Sequence, residues 1–354
     1  MPFGHSTWPF GIPPPMKPTP RIVPAEPNIE QAARQIDAGG LVAFPTETVY
    51  GLGANAFDAI AVARIFELKA RPQFDPLIVH IADVADVECL ATSFPHAARV
   101  LVEQFWPGPL TVVLPKQPIV PDIVTAGLPS VAIRLPDHPI ALALIRAARV
   151  PIAAPSANPF GRVSPTTAAH VDEQLDERLE WILDGGPCRV GVESTIVSFL
   201  GPTPSLLRPG GVPLEVLEAA IGPVTIHPSA IPSSAADRPL APGQLASHYA
   251  PSTPLQLLIN SDASQFRGQR VGLLSLRSPS NRTGWAAIEV LSERGDLGEA
   301  AANLFAAIRR LDAAGLDLII AEPLPEAGLG NAIMDRLRRA SARAAAHFAR
   351  TKAT

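Results

Sequence analysis

The chain has little of what would place it outside the cell or in a membrane. Its 354 residues include two cysteines, Cys89 and Cys188. That is too few for a disulfide framework, and the spacing is not that of a zinc site, so both read as reduced structural thiols. No apolar run reaches the roughly 18 residues of a membrane-spanning helix. The first residues lack the basic start, continuous apolar stretch and small-residue cleavage site of a secretory signal. A cytoplasmic protein with no membrane partner is expected. Aromatic residues make up only 5% of the chain, which weighs against the interleaved stacking platforms of single-strand nucleic-acid binders. Lys and Arg number 29 against 33 Asp and Glu, for a net charge of -4. With no global positive field, any anion site must be local. Three signatures are missing as well: the Gly-x-x-x-x-Gly-Lys-Ser/Thr loop, a Gly-x-Gly-x-x-Gly opening a helix, and the Gly-x-Ser-x-Gly elbow.

What is present is proline, 40 residues, about twice ordinary usage. Part of the excess lies in residues 1–27, which read as a Pro-rich N-terminal extension. Regular patterning follows. Ile29, Ala32, Ala33 and Ile36 share one helical face, ended by Gly39-Gly40. Short apolar runs at Leu41–Phe44, Leu77–Ile81, Leu110–Leu114, Val131–Leu135, Ile152–Ala154 and Thr195–Phe199 read as strands. Helical segments stand between several of them, among them Asp58–Lys69, Ala97–Phe105 and Pro139–Ala148. This interleaving predicts an α/β domain over residues 28–226. Residues 227–254, rich in Pro, Ser and Ala, read as a linker. A second α/β pattern over 255–350 has strands at Leu255–Ile259, Val271–Leu276 and Leu316–Ala321, with helices at Gly298–Ala314 and Gly330–Ala345.

Polar chemistry clusters where the first domain's strands end, the usual location of ligands in open α/β sheets. In Phe44-Pro-Thr-Glu-Thr-Val-Tyr-Gly-Leu-Gly53 a buried strand breaks into hydroxyls and a carboxylate. In Lys69-Ala-Arg-Pro-Gln-Phe-Asp-Pro-Leu-Ile-Val-His80 one of only four lysines stands beside an arginine at a helix end. Such a pair suits phosphate oxygens, although cations at a helix C-terminus are also favourable without a ligand. Arg134, inside Val131-Ala-Ile-Arg-Leu135, needs a partner or a ligand because an unpaired buried charge is costly. Arg208 lies in Leu206-Leu-Arg-Pro-Gly-Gly211. Ser156, Asn158 and Ser164 punctuate a Pro- and Gly-rich loop after a strand, a composition fitting a phosphate-binding loop or ordinary turns. Glu193 and Ser194 open another buried strand. From the residues alone, the reading is an α/β domain whose cations and hydroxyls converge on an anion-binding cleft.

In their order along the chain these segments, with Trp106-Pro-Gly-Pro-Leu-Thr111 and Leu-Arg-Pro-Gly, resemble the YrdC-like threonylcarbamoyl-AMP synthases. The resemblance is dense over residues 28–225. Pro242-Gly-Gln-Leu-Ala-Ser-His-Tyr-Ala-Pro251 looks like the linker of the family's long form, and Gly328-Leu-Gly-Asn-Ala-Ile-Met-Asp-Arg-Leu337 like its C-terminal domain. The resemblance implies a twisted open mixed sheet followed by a smaller Rossmann-like α/β domain, with the linker folding over the active site. It implies that L-threonine, bicarbonate and ATP give threonylcarbamoyl-AMP and pyrophosphate, for a tRNA modification completed by downstream transferase proteins. Carried over by position, Thr48, His80, Arg134, the Ala154 backbone and Ser194 would hold threonine. Arg71, Asp75, Ser130, Ser156, Asn158, Ser164, Arg208 and Tyr249 would hold ATP, with Lys69 and Arg71 as the catalytic cations. Asp75 departs from the amide common in the family, and would either coordinate magnesium or face away. Magnesium is expected to arrive with ATP rather than in a dedicated protein cage. Two further readings are a non-catalytic module with weak, double-stranded RNA binding, and a carbamoyl transferase of the hydrogenase-maturation type. Acidic charge and scarce aromatics oppose the first, and the absence of zinc-finger cysteines opposes the second.

Overall fold

The computed structural model describes residues 21–351 except 176, 227–238, 260 and 261, with backbone only from residue 343 onward. The first twenty residues of the N-terminal extension and much of the expected linker thus lie outside the described residues.

Eleven strands form one mixed sheet. In chain order they are β1 (Ile22–Pro24), β2 (Val42–Phe44), β3 (Gly51–Asn55), β4 (Ile78–His80), β5 (Leu110–Pro115), β6 (Ser130–Arg134), β7 (Ile152–Ala153), β8 (Ile182–Asp184), β9 (Thr195–Ser198), β10 (Ser205–Arg208) and β11 (Thr225–Ile226). In space the order is β1-β8-β2-β3-β7-β4-β6-β5-β9-β10-β11. Parallel pairs such as β4 with β6 alternate with antiparallel ones such as β5 with β6. A second, four-stranded parallel sheet has the order β12-β15-β13-β14, from Leu255–Leu257 (β12), Val271–Ser275 (β13), Ala287–Val290 (β14) and Leu318–Ala321 (β15). The result is a large mixed sheet with helices and a smaller Rossmann-like domain.

The helices are α1 (Ala25–Asp37), α2 (Ala59–Lys69), α3 (Val87–Leu90), α4 (His96–Phe105), α5 (Asp122–Thr125), α6 (Pro139–Ala148), α7 (Ala168–Asp172), α8 (Leu214–Ile221), α9 (Leu297–Asp312) and α10 (Leu329–Thr351). Their limits follow local chemistry. The Asp58 side chain accepts from the amides of Ile60 and Ala61, which starts α2. Ala70, at φ 49°, turns the chain left-handed and stops it, leaving Lys69 and Arg71 on either side of the break. Pro139 opens α6 as its first residue. Asp296 caps α9, whose inward face buries Ala300, Ala301, Leu304, Phe305, Ile308 and Leu311.

Several strands escaped the pattern, β1, β3, β8, β11 and β14 among them. Ile22–Pro24 belongs to the stretch read as an extension, yet it pairs in parallel with β8. Three residues among prolines show no period, and the partner is far along the chain. Gly51–Asn55, which follows the polar break after Phe44, returns antiparallel to β2 and pairs with β7. Its Gly-Leu-Gly-Ala-Asn composition has no β-branched residue to announce a strand.

The two sheets share an apolar seam. Val49, Val163 and Val192 of the first domain pack in one cluster with Tyr249, Phe305, Ile333 and Leu337. Arg309 of α9 reaches across to donate to Val163 O (2.6 Å) and Gln174 Oε1 (2.7 Å). At Gly191, φ +73°, a Cβ would lie 2.4 Å from Ala301 O and Ala302 Cα, so the approach of α9 requires glycine there.

Candidate active site

Three strand ends and the linker supply one cleft. Arg134 closes β6, with His80 of β4 and Thr111 of β5 as its register neighbours. The turn between β2 and β3 brings Glu47 and Thr48 against it. Arg134 Nη2 contacts Glu47 Oε1 at 2.7 Å and donates to Thr48 Oγ1 at 2.9 Å. Thr46 organises the turn, its hydroxyl donating to Val49 O (2.6 Å) and accepting from the amides of Thr48 and Val49. The buried charge in an apolar strand thus has a protein partner in Glu47, itself fully buried.

The second cation group lies past α2. Arg71 donates from Nε to Asp75 O (3.1 Å) and from Nη2 to Pro76 O (2.8 Å), and pairs with Asp75 Oδ2 at 2.9 Å. Asp75 is fully buried in that ion pair. Burial raises its pKa, against the opposing charges of Arg71, Lys69 and Arg208. Lys69 is also buried. Its ammonium donates to Ser156 O at 2.5 Å and to Asn158 O, and burial, then Arg71, pull its pKa well below the usual lysine value. Lys69 braces the Ser156–Asn158 loop from behind, as does the Asn158 amide, which donates to Pro159 O and Arg162 O.

Arg208 ends β10. It donates to Ser194 O from Nε (3.2 Å) and Nη2 (2.9 Å), to Ser194 Oγ (3.2 Å) and to Pro242 O (3.2 Å). At Gly210 a Cβ would meet Glu193 O at 2.3 Å, so the Arg-Pro-Gly-Gly turn can press against Glu193–Thr195 only because that position is glycine. Ser194 shares a 2.8 Å hydrogen bond with Thr111. Glu193 accepts from Ser164 (2.6 Å) and pairs with Arg336 of α10 (2.7 Å). The linker then crosses the opening: His248 packs edge-on to Phe160, and Tyr249, at φ 60°, stacks on Phe305.

The cavity enclosed is about 50 Å3 and is lined by Arg71, His80, Arg134, Ala154, Ser156, Ser194, Arg208 and Tyr249, together with Glu193 and Pro242–Gly243. These include eight of the residues expected from the sequence. By that measure the space holds a few waters, not a nucleotide. The other expected residues stand off the wall. Thr48 supports Arg134, Lys69 and Asn158 support the loop, and Asp75 supports Arg71. Ser164 holds Glu193, and Ser130 opens β6 beside Pro115. The expectation that Lys69, Arg71, Arg134 and Arg208 share one wall is thus corrected at Lys69, because two carbonyls turn its ammonium away. Burial, then the charge of Arg134, push His80 down to about 3, so its imidazole is neutral near pH 7. Among the described residues no group of three His, Cys, Asp or Glu is arranged to hold a metal ion, and no helix is long and apolar enough to cross a membrane.

A family model described as telomere recombination, covering Sua5, YciO and YrdC, matches residues 34–210. A second, described as threonylcarbamoyl-AMP synthase, C-terminal domain, matches residues 212–342. The chain belongs to the YrdC-like threonylcarbamoyl-AMP synthase family, in its long two-domain form. A threonylcarbamoyl-AMP synthase of Pyrococcus abyssi is 48% identical over 326 residues, covering 89% of this chain and 94% of its own length. One from Bacillus subtilis is 46% identical over 325 residues, with 89% and 93% covered. The solved structure of Pyrococcus abyssi Sua5 complexed with L-threonine superposes with a TM-score of 0.85 at 46% identity, over 90% of this chain and 97% of that one. A variant of that protein with an adjacent His-Tyr pair changed to alanines superposes with a TM-score of 0.84. Among the residues around the site that the sequence did not single out are Glu47, His248 and Arg336, and Arg336 belongs to the second domain. The signal for Arg336 was available: a charge inside the apolar stripe of Ala332, Ile333, Leu337 and Ala340.

Proposed function

We propose that the protein is an L-threonylcarbamoyladenylate synthase, a nucleotidyltransferase. L-threonine, bicarbonate and ATP give threonylcarbamoyl-AMP and pyrophosphate, and the product serves threonylcarbamoyladenosine modification of tRNA through downstream transferase proteins. The observation that carries the reading is the convergence of Arg71, Arg134 and Arg208 on one cavity. Threonine's carboxylate, the carbamate and the triphosphate are all anions. Bringing them together requires positioned cations, and fixed charge is the main lever in phosphoryl-type transfer.

In this reading the threonine amine first takes up CO2 derived from bicarbonate. The resulting carbamate oxygen attacks the α-phosphorus of ATP, and the bond to pyrophosphate breaks. Arg134 takes the threonine carboxylate, with Thr48 and Glu47 fixing the guanidinium from behind. His80 borders that end as a neutral imidazole, and the Ala154 backbone and Ser194 complete the amino-acid pocket. Arg71 and Arg208 face the triphosphate, with Ser156 beside them. Asp75, Lys69, Asn158, Ser164 and Ser130 act through these groups or through the loops that carry them. Magnesium would enter on the triphosphate, keeping several waters. Asp75 and Glu193 are already committed to arginines, so neither is assigned to it. Tyr249 would fold over the nucleotide. The adjacent His-Tyr pair altered in the Pyrococcus protein fits His248-Tyr249, since the other of this chain's two tyrosines, Tyr50, follows valine.

The test is pyrophosphate release by purified protein with threonine, bicarbonate and Mg-ATP, with mass spectrometry of the product from labelled bicarbonate. Threonine-dependent release and a labelled adenylate are expected. Equal release without threonine would overturn the assignment.

A further inference from the structure

Among the described residues, Arg336 of the second domain bonds directly to the wall of the cleft. Arg336 is fully buried although it starts from the far sheet's helix α10. Its Nε donates to Glu193 Oε2 at 2.7 Å, on the cavity wall. Its Nη1 donates to Pro209 O at 3.0 Å, the carbonyl next to Arg208, and to Asp335 Oδ2 at 2.6 Å. The guanidinium carbon stands 5.0 Å from the centre of the Tyr249 ring, within cation–π range. One turn later Arg339 donates to Leu245 O at 2.5 Å, and its own carbonyl accepts from the amide of His248 at 3.3 Å. Asp335 pairs with both arginines. Helix α10 thus grips the linker at residues 245, 248 and 249, the cleft wall at residue 193 and the turn beyond Arg208 at residue 209.

We infer that Arg336 is a positioning residue for the nucleotide half of the site, holding Glu193 in the cleft and Tyr249 in the linker in a single arrangement, so that closure over ATP depends on the C-terminal domain. The inference rests on the synthase reading for its substrate and on geometry for its mechanics. Tyr249 holds a left-handed backbone, φ 60°, a conformation that a bulky residue keeps only when its surroundings impose it. Those surroundings are Arg336, Phe305 and the bond from the Ala250 amide to Gly161 O (2.8 Å). Burial would raise the Glu193 pKa, but Arg336, then Arg208 and the Ser164 hydroxyl, outweigh it and hold the carboxyl below its usual value. The charge on Glu193 therefore depends in large part on a residue 143 positions away. On the threonine side, Arg134 bonds to Glu47 and Thr48, both in the first domain. The two substrates should therefore feel the loss of Arg336 unequally.

The experiment compares the full chain with Arg336→Met and Glu193→Gln by hydrogen exchange and by kinetics. In Arg336→Met, the His248 and Ala250 amides should exchange about tenfold faster while those of β5 and β6 keep their protection. Unchanged exchange at both linker amides would overturn the inference. Where Arg336→Met also loosens β13 and β15, Glu193→Gln decides, because it weakens the same bridge from the first domain. Faster linker exchange in that variant supports the inference, and unchanged exchange refutes it. In the kinetic arm the KM for ATP should rise about fivefold with the KM for threonine within about twofold. Equal rises in both would indicate general loosening and would refute positioning. A wild-type protein without threonine-dependent pyrophosphate release would refute the synthase reading alone, leaving the exchange result to decide the role of Arg336.

Discussion

Arg134 and Glu47 show how a single buried ion pair constrains the reading of a mutation. Removing Arg134 alone leaves Glu47 with no counter-charge in a fully buried position, at a cost of about 3–5 kcal/mol. That is a large part of the roughly 5–15 kcal/mol a domain commonly has. Arg134→Ala should therefore lose L-threonine binding and also melt early, whereas Arg134→Met with Glu47→Gln should regain most of the melting temperature and still bind no threonine. Calorimetric titration of both variants checks this, and threonine affinity preserved in the double variant would remove Arg134 from the site. His80 makes a second residue-scale case. Its folded pKa, about 3, lies below the roughly 6.5 of an unfolded histidine. As pH falls from about 6.5 towards 3 the unfolded chain takes up the proton and the folded one does not, so His80 costs up to about 1.4 kcal/mol of stability per pH unit in that window. Above it, the contribution is flat. Urea unfolding at pH 7.5, 6 and 5 should show this slope, and His80→Gln should make it shallower. Much of the site was legible at this scale. Arg71 at a helix end and Arg208 in a loop gained their meaning only from the order of the motifs along the chain, whereas Arg134, a charge in an apolar strand, demanded a partner or a ligand. Arg336 carried the same signal in helical period, but its partner Glu193 belongs to the other domain, and no local pattern connects them.

At the scale of the element, the turn from Phe44 to Gly51 and the linker from Pro242 to Pro251 do most to shape the cleft. Strand limits were readable where β-branched residues run together, as in Val131–Leu135, which falls within a residue of β6 at each end. They were not readable in β3, where glycine and alanine form the strand and the pairing partners β2 and β7 supply the order. The linker had no period to read, and its tyrosine acquires meaning only from the aromatic and cationic groups packed on it. Tyr249→Ala should remove the stacking on Phe305 and the contact with Arg336, leaving the two sheets intact. Its threonine-dependent pyrophosphate release should fall about tenfold or more, as expected for a closing element that excludes water and completes the site. Circular dichroism should be unchanged. Wild-type turnover would remove the linker from the mechanism.

For the whole molecule, the decisive feature is the seam in which Val49, Val163 and Val192 are buried among side chains of the second domain. Two domains with a polar, loosely apposed boundary would melt separately. Here the same valines help to close the far core and also lie next to the turn that holds Arg134 and the loops that hold Ser164 and Ser194. Scanning calorimetry should give one transition, and two resolved peaks would show that the seam is weak. Stability is consequently pooled between the halves. L-threonine, which in the proposed pose touches only the first domain, should raise the temperature at which α9 and the four-stranded sheet come apart, by the ordinary linkage of a ligand to the folded state. The smaller domain would then report on amino-acid occupancy without meeting the amino acid.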